Sequence, residues 1–118
     1  MPTTQTVTIA VAGIQGPPGS GGGSASIVNH SSTYTETSTA GTVLSLCDAT
    51  SGNIIANLPA ASTCSGMFYT VKKIDSSANT VTVDPNGSDT IDGGLTAVIN
   101  YQYTSVTIVS NGSTWYIE

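Results

Sequence analysis

The chain is 118 residues long, is 38% hydrophobic, and carries a formal net charge of −5 with two basic residues, Lys72 and Lys73. That length supports one domain with a small core, and that balance excludes the clustered Lys and Arg which phosphate backbones and anionic membrane surfaces demand. Thr, Ser, Gly and Asn dominate while helix formers are scarce, so strands and tight turns are expected.

The chain opens on Met1-Pro2-Thr3-Thr4-Gln5, which has neither the charged nor the apolar region of a secretion signal. No apolar run reaches the roughly 20 residues of a membrane-spanning helix. Synthesis in a cytoplasm is the expectation. Thr6-Val7-Thr8-Ile9-Ala10-Val11 alternates strictly, placing Val7, Ile9 and Val11 on one face of an N-terminal arm, residues 1–12. Glycine then recurs at every third position, as Gly13, Gly16, Gly19 and Gly22, with Pro17 and Pro18 between them. This Gly-X-Y period is that of the collagen triple helix, where three polyproline-II strands wind about an axis that only glycine fits. So short a run also reads as a flexible Gly/Ser/Pro linker. On the first reading residues 13–24 gather three copies of the chain; on the second they tether the arm to a β-domain of residues 25–118.

Short β-rich runs follow at 33–36, 42–47, 53–58, 67–74, 80–83, 90–91, 95–99, 105–109 and 114–117. Pro59 ends the 53–58 run because it cannot donate to a ladder. Within 67–74, Phe68 and Ile74 fall on one side and Met67, Tyr69 and Val71 on the other. Asp84-Pro85-Asn86-Gly87 is a turn signal, and Asn111-Gly112 between the last two runs signals a hairpin. No segment reads as a helix. The predicted fold is all-β, a small antiparallel β-sandwich or jelly-roll-like barrel.

Residues that carry chemistry are few. Cys47 and Cys64 match no metal-ligand spacing; they are expected as buried thiols, with a disulfide loop as the other reading. Any Ser-His-acid triad has to run through His30, which lies in a predicted loop, and no Gly-x-Ser-x-Gly elbow is present. Asp84, Asn86, Ser88, Asp89 and Asp92 superficially resemble the start of a calcium loop, but the bidentate glutamate is missing and turn chemistry accounts for them. No catalytic residue, metal ligand or cofactor is assigned, and the chain is not expected to be an enzyme. Lys72-Lys73 lies mid-strand, so one of the two faces the opposite side. It pairs with Asp75, Asp84 or Asp89 of an adjacent subunit or belongs to a solvated strand face.

Several segments taken together resemble a known pattern. These are Asp48-Ala49-Thr50-Ser51-Gly52-Asn53-Ile54, Leu58-Pro59-Ala60-Ala61, Tyr69-Thr70-Val71-Lys72-Lys73-Ile74-Asp75, Asn79-Thr80-Val81-Thr82-Val83-Asp84-Pro85, Asp89-Thr90-Ile91-Asp92-Gly93 and the stretch from Ser105 to Ile117. Their order resembles a β-domain of tailed-bacteriophage virion proteins, of the head fibre, capsid decoration and tail-fibre-tip type. The likeness covers residues 42–118, and a β arm followed by Gly-Pro-Pro-Gly is likewise similar to virion fibre proteins, which are typically homotrimers.

The resemblance implies a structural role in the virion without fixing which part of the particle the chain occupies; the capsid surface, after synthesis in the host cytoplasm, is the expected location. The partners expected are two further copies of the chain and the major capsid protein, with neither nucleic acid nor membrane. A receptor-binding fibre generally needs a long shaft, which this chain lacks, so decoration or a head fibre is the first expectation. Arm residues Val7, Ile9 and Val11 would then add a strand to a capsid-protein sheet. The competing expectation is a tail-fibre or tail-tip module that binds host-surface glycans through Tyr34, Tyr101, Tyr103 or Trp115.

Overall fold

In a computed structural model, residues 26–37 and 41–118 are described. Val7, Ile9 and Val11 of the arm, and Gly13, Gly16, Pro17, Pro18, Gly19 and Gly22 of the Gly-X-Y run, lie outside the described residues. Among the described residues nine strands form: β1 (Ser26–His30), β2 (Tyr34–Thr35), β3 (Thr42–Cys47), β4 (Ile54–Asn57), β5 (Phe68–Lys73), β6 (Val81–Asp84), β7 (Ala97–Ile99), β8 (Ser105–Ser110) and β9 (Trp115–Ile117). The chain's helical content among these residues is one 3-10 turn, Ala61–Thr63. The predicted runs from residue 33 onward coincide with β2–β9, except that 90–91 makes only isolated bridges, from Ile91 to Gly94 and to Trp115. β1 is an addition, and it takes His30 out of the loop that the sequence suggested.

The strands lie in a five-stranded sheet, β1-β3-β5-β8-β9, and a four-stranded sheet, β2-β4-β6-β7. The all-β expectation therefore holds, but the antiparallel one needs correction. β1, β3 and β5 run parallel, as do β2, β4 and β6; only β5–β8, β8–β9 and β6–β7 are antiparallel. The first six strands alternate between the sheets, so the crossover that every parallel pair requires is here a strand of the opposite sheet. Alternating polarity along a strand reports one buried face and is blind to the direction of the neighbouring strand.

The core lies between the two sheets. Tyr69, Val71 and Ile108 from the larger sheet meet Ile54, Ala56, Val81, Val83 and Ile99 from the smaller, all at most 3% exposed. Met67, Tyr69 and Val71 are buried while Phe68 and Ile74 are not, so β5 faces as its alternation predicts. The Asn111-Gly112 hairpin also forms, joining β8 to β9. Gly112 adopts φ +95°, a conformation that strains any residue with a Cβ, and a Cβ there would sit 3.3 Å from Ser65 Oγ, which would have to shift.

Candidate functional site

Successive crossovers are fastened by side chains at the corners where they leave the larger sheet. After β3, Asp48 Oδ1 accepts from the Thr50 N–H at 3.0 Å; after β5, Asp75 Oδ2 accepts from the Ser77 N–H at 3.0 Å. Both are Asx turns, in which a short acid bends the backbone two residues ahead. The second is buried and carries the larger charge network. Lys73, fully buried, donates to Asp75 Oδ2 at 2.8 Å, to the Asp75 carbonyl at 3.0 Å and to the Ser77 carbonyl at 3.1 Å. An ammonium has three donors, and all three are used.

Asp75 in turn accepts from the Ala49 N–H at 2.7 Å and from the Ser77 hydroxyl, tying one corner to the next. Burial pushes this carboxyl up, but the hydrogen bonds from Lys73, Ser77 and Ala49 outweigh it and hold the group well below the usual carboxylate range. Lys73 thus pairs within its own chain, which corrects both the subunit-bridging and the solvated readings for this residue. Lys72 points outward, donating to the Tyr103 carbonyl at 3.2 Å with its ammonium 6.0 Å from that ring's centroid.

A second polar cluster sits at the β1–β2 end of the core. Tyr34 and Glu36 share a side of the chain by two-residue spacing, and both meet β3. Glu36, 5% exposed, accepts from the Tyr34 hydroxyl at 2.9 Å and the Ser45 hydroxyl at 2.7 Å. The Cys47 thiol donates to the Tyr34 oxygen at 3.7 Å, and His30 stacks on the Tyr34 ring, centroids 3.4 Å apart. Of this cluster only the buried Cys47 thiol is foreseeable from the sequence. The available signal was the i, i+2 pair of a phenol and an acid entering a β-run.

Chemically, the cluster is poised against ionisation. Burial pushes the Cys47 thiol up to about 11, and the Tyr34 phenol far above its ordinary value, so both stay protonated near neutrality. Burial also raises the Glu36 carboxyl above its ordinary 4.5, against the opposing pull of the Ser45 and Tyr34 hydrogen bonds. A raised folded-state pKa favours the folded protein fully below the unfolded value, and that contribution is lost as pH rises through the folded value. Relative to Glu36→Gln, the wild type is therefore expected to lose melting temperature as pH rises from 4.5 towards neutrality. A difference that does not change with pH would show that Glu36 titrates normally.

The remaining sequence candidates are dispersed. Cys47 and Cys64 are free, buried thiols. Asp89 accepts from the Ala61 N–H at 2.9 Å, and Asp92, at φ +50°, accepts from the Ile117 N–H at 3.1 Å. Among the described residues no group of three or more His, Cys, Asp or Glu is placed to hold a metal. The four aromatics considered for glycans separate. Trp115 is fully buried and Tyr34 belongs to the Glu36 cluster, whereas Tyr101 and Tyr103, 75% and 63% exposed, share the loop between β7 and β8. Set beside known proteins, the chain matches no family model, no curated protein and no solved structure.

Proposed function

We propose that this chain is a structural protein of a tailed-bacteriophage virion: a capsid decoration or head fibre homotrimer, without catalytic activity, held on the capsid surface by its N-terminal arms. The observation that carries this reading is the order of parts in the sequence. An alternating arm containing Val7, Ile9 and Val11 is followed by the Gly13–Gly16–Gly19–Gly22 period and then by an all-β head. The resemblance of residues 42–118 to virion β-domains supports it. So does the internal use of the head's buried polar groups, since Glu36, Lys73 and Asp75 bond to their own chain.

In this reading the two facing sheets form a sandwich-like head, and each arm adds a strand to a sheet of the major capsid protein. Main-chain hydrogen bonds supply affinity and alternate side chains supply register. Three arms binding together exceed the grip of one by orders of magnitude when the linkers span their sites. Deleting residues 1–12 is expected to abolish sedimentation with empty capsids while the soluble trimer persists. Equal capsid binding by the truncated and full chains would rule out the arm as anchor.

A second reading is favoured by one observation, the exposure of Tyr101 and Tyr103 on one loop, with Lys72 near the Tyr103 ring. Exposed aromatics with a cation near one of them suit a sugar ring, and would make the chain a tail-fibre or tail-tip module for host-surface glycans. Fluorescently labelled protein separates the two: decoration requires labelling of heads, and recognition requires labelling of host cells that Tyr101→Ala removes.

A further inference from the structure

We propose that Asn86 is a site of spontaneous covalent modification, converting to aspartate and isoaspartate through a cyclic imide with Gly87, while the fold holds the same dipeptide at Asn111-Gly112 inert. The inference stands apart from the virion reading. Asparagine is thermolabile because the next backbone nitrogen can attack its side-chain amide, and glycine offers the nitrogen that no side chain shields. The chain has two such pairs, whereas Asn29, Asn53, Asn57, Asn79 and Asn100 each precede a residue with a side chain. Hydrogen bonding separates the two pairs. Asn111 is fixed at both reacting ends. Its Oδ1 accepts from the Ser113 and Thr114 N–H groups, each at 3.0 Å, and the Gly112 N–H donates to Ser110 Oγ at 3.0 Å. That oxygen is itself anchored, since Ser110 is buried and its hydroxyl donates to the Ala61 carbonyl at 2.7 Å. The bonds to Oδ1 also polarise the amide, but a carbon that cannot turn to the nitrogen gains nothing from polarisation. Reaction at Asn111 has to await local opening of the hairpin.

Asn86 has none of these restraints. It lies just beyond β6, and both it and Gly87 are exposed. Among the described residues neither the Asn86 side chain nor the Gly87 N–H makes a hydrogen bond. Gly87 takes φ +55°, a conformation that glycine enters freely, and a Cβ there would meet nothing within 4 Å, so solvent surrounds the nucleophile. The turn is closed by the Asp89 N–H, which donates to the Asn86 carbonyl at 2.9 Å and leaves the amide free to rotate.

The step needs only water and a base in solution. The Gly87 nitrogen gives its proton to the base and bonds to Asn86 Cγ; the Cγ–Nδ2 bond breaks and ammonia leaves, closing the imide. Water then opens the ring. Attack at Cγ yields aspartate, and attack at the α-carbonyl yields isoaspartate, whose chain continues through Cγ. Nothing is oxidised or reduced. Either product adds a negative charge between Asp84 and Asp89, on a chain already at −5. Isoaspartate also takes the Asn86 carbonyl out of the backbone, and with it the acceptor of the Asp89 N–H. Because Asp89 Oδ2 accepts from the Ala61 N–H at 2.9 Å, the change reaches the Ala61–Thr63 turn.

Ageing the full chain in mildly alkaline buffer, folded and in urea, tests this. Peptides cut after Tyr101 and Tyr103 separate the two pairs, mass spectrometry measures conversion of amide to acid, and electron-transfer fragmentation tells isoaspartate from aspartate. In the folded chain Asn86 is expected to convert at least about ten-fold faster than Asn111, the ratio produced by a barrier difference of about 1.4 kcal/mol. In urea the two rates are expected to converge, because the restraint on Asn111 comes from the fold. Asn86→Gln, which would have to close a larger ring, is expected to abolish the conversion at that position and leave Asn111 unchanged. Equal rates in the folded chain, or a faster Asn111, would overturn the inference. So would a ratio that persists in urea, which assigns the difference to flanking sequence, or aspartate formed without isoaspartate, which removes the imide.

Discussion

Asp75→Ala is expected to lower the unfolding free energy by about 3–5 kcal/mol, enough to unfold a domain of this size at the lower end of ordinary stability. The substitution leaves the fully buried Lys73 ammonium with two carbonyl acceptors and no counter-charge. It also strips the Ala49 and Ser77 N–H groups of their acceptor, unpinning the corner after β3 from the corner after β5. Lys73→Met should cost less, because Asp75 keeps the Ala49 and Ser77 donors and methionine fills much of the vacated stem volume. The double change should fall well short of the sum, since each residue's cost is largely the isolation of the other. Acid reports the same pair. A carboxyl held below its ordinary 3.8 contributes stability that is complete above that pH and is lost as pH falls through the folded value. Wild type should therefore lose stability on acidification below pH 3.8 more steeply than Asp75→Ala. Urea unfolding at neutral pH and at pH 3 checks both; an Asp75→Ala cost below about 1 kcal/mol would place the pair with exposed ion pairs of little worth.

The sequence made the strands legible because each, from β2 onward, carries its own alternation, and β3, β5 and β8 are long enough for it to be unmistakable. It also made the β8–β9 hairpin legible, because Asn111-Gly112 encodes a turn that only a few residue types can make. β1 was hidden: Ile27 and Val28 are adjacent rather than alternating, and most of the strand is exposed. Its strand character comes from β3, its parallel partner. Parallel order was hidden for a related reason. It is decided by the corners, where Asp48 and Asp75 make Asx turns that carry the chain to the opposite sheet instead of back along the same one. Periodicity inside a strand holds no record of that choice. The Lys72-Lys73 step was half legible, since alternation requires one lysine to turn inward. That the inward one finds Asp75 of its own chain depends on two-residue proximity across the strand end, which alternation does not encode.

This architecture has unequal ends. Stacked parallel crossovers bury a continuous core but leave terminal strands that need covering. At one end β7, β8 and β9 reverse direction. β9 is further closed by the 90–92 segment, where the Trp115 N–H donates to the Thr90 carbonyl and the Asp92 N–H to the Trp115 carbonyl. At the other, β1 is the edge of the larger sheet and the Tyr34–Glu36 cluster lies just beneath. Among the described residues β1 thus has one strand neighbour, β3, and it is the strand that the N-terminal segment leads into.

Trp115 is the residue on which closure of the far end turns, and Trp115→Ala is expected to destabilise by about 3–5 kcal/mol, the range for emptying a large buried aromatic site. The indole is fully buried, meets the Tyr69 ring edge-on with centroids 5.7 Å apart, and sits on the strand whose backbone holds the 90–92 segment. Its loss opens a cavity and loosens that segment together, so the effect should exceed that of Ile108→Val, which removes one methylene at about 0.5–1.5 kcal/mol. Trp115→Phe discriminates between shape and hydrogen bonding. The indole Nε1 finds no partner among the described residues, so phenylalanine gives up volume but no hydrogen bond and relieves a buried donor of its desolvation cost. Its expected cost is below about half that of alanine. If Trp115→Phe proves as damaging as Trp115→Ala in urea unfolding, the indole N–H has a partner after all, and closure of this end relies on a polar contact rather than on packing.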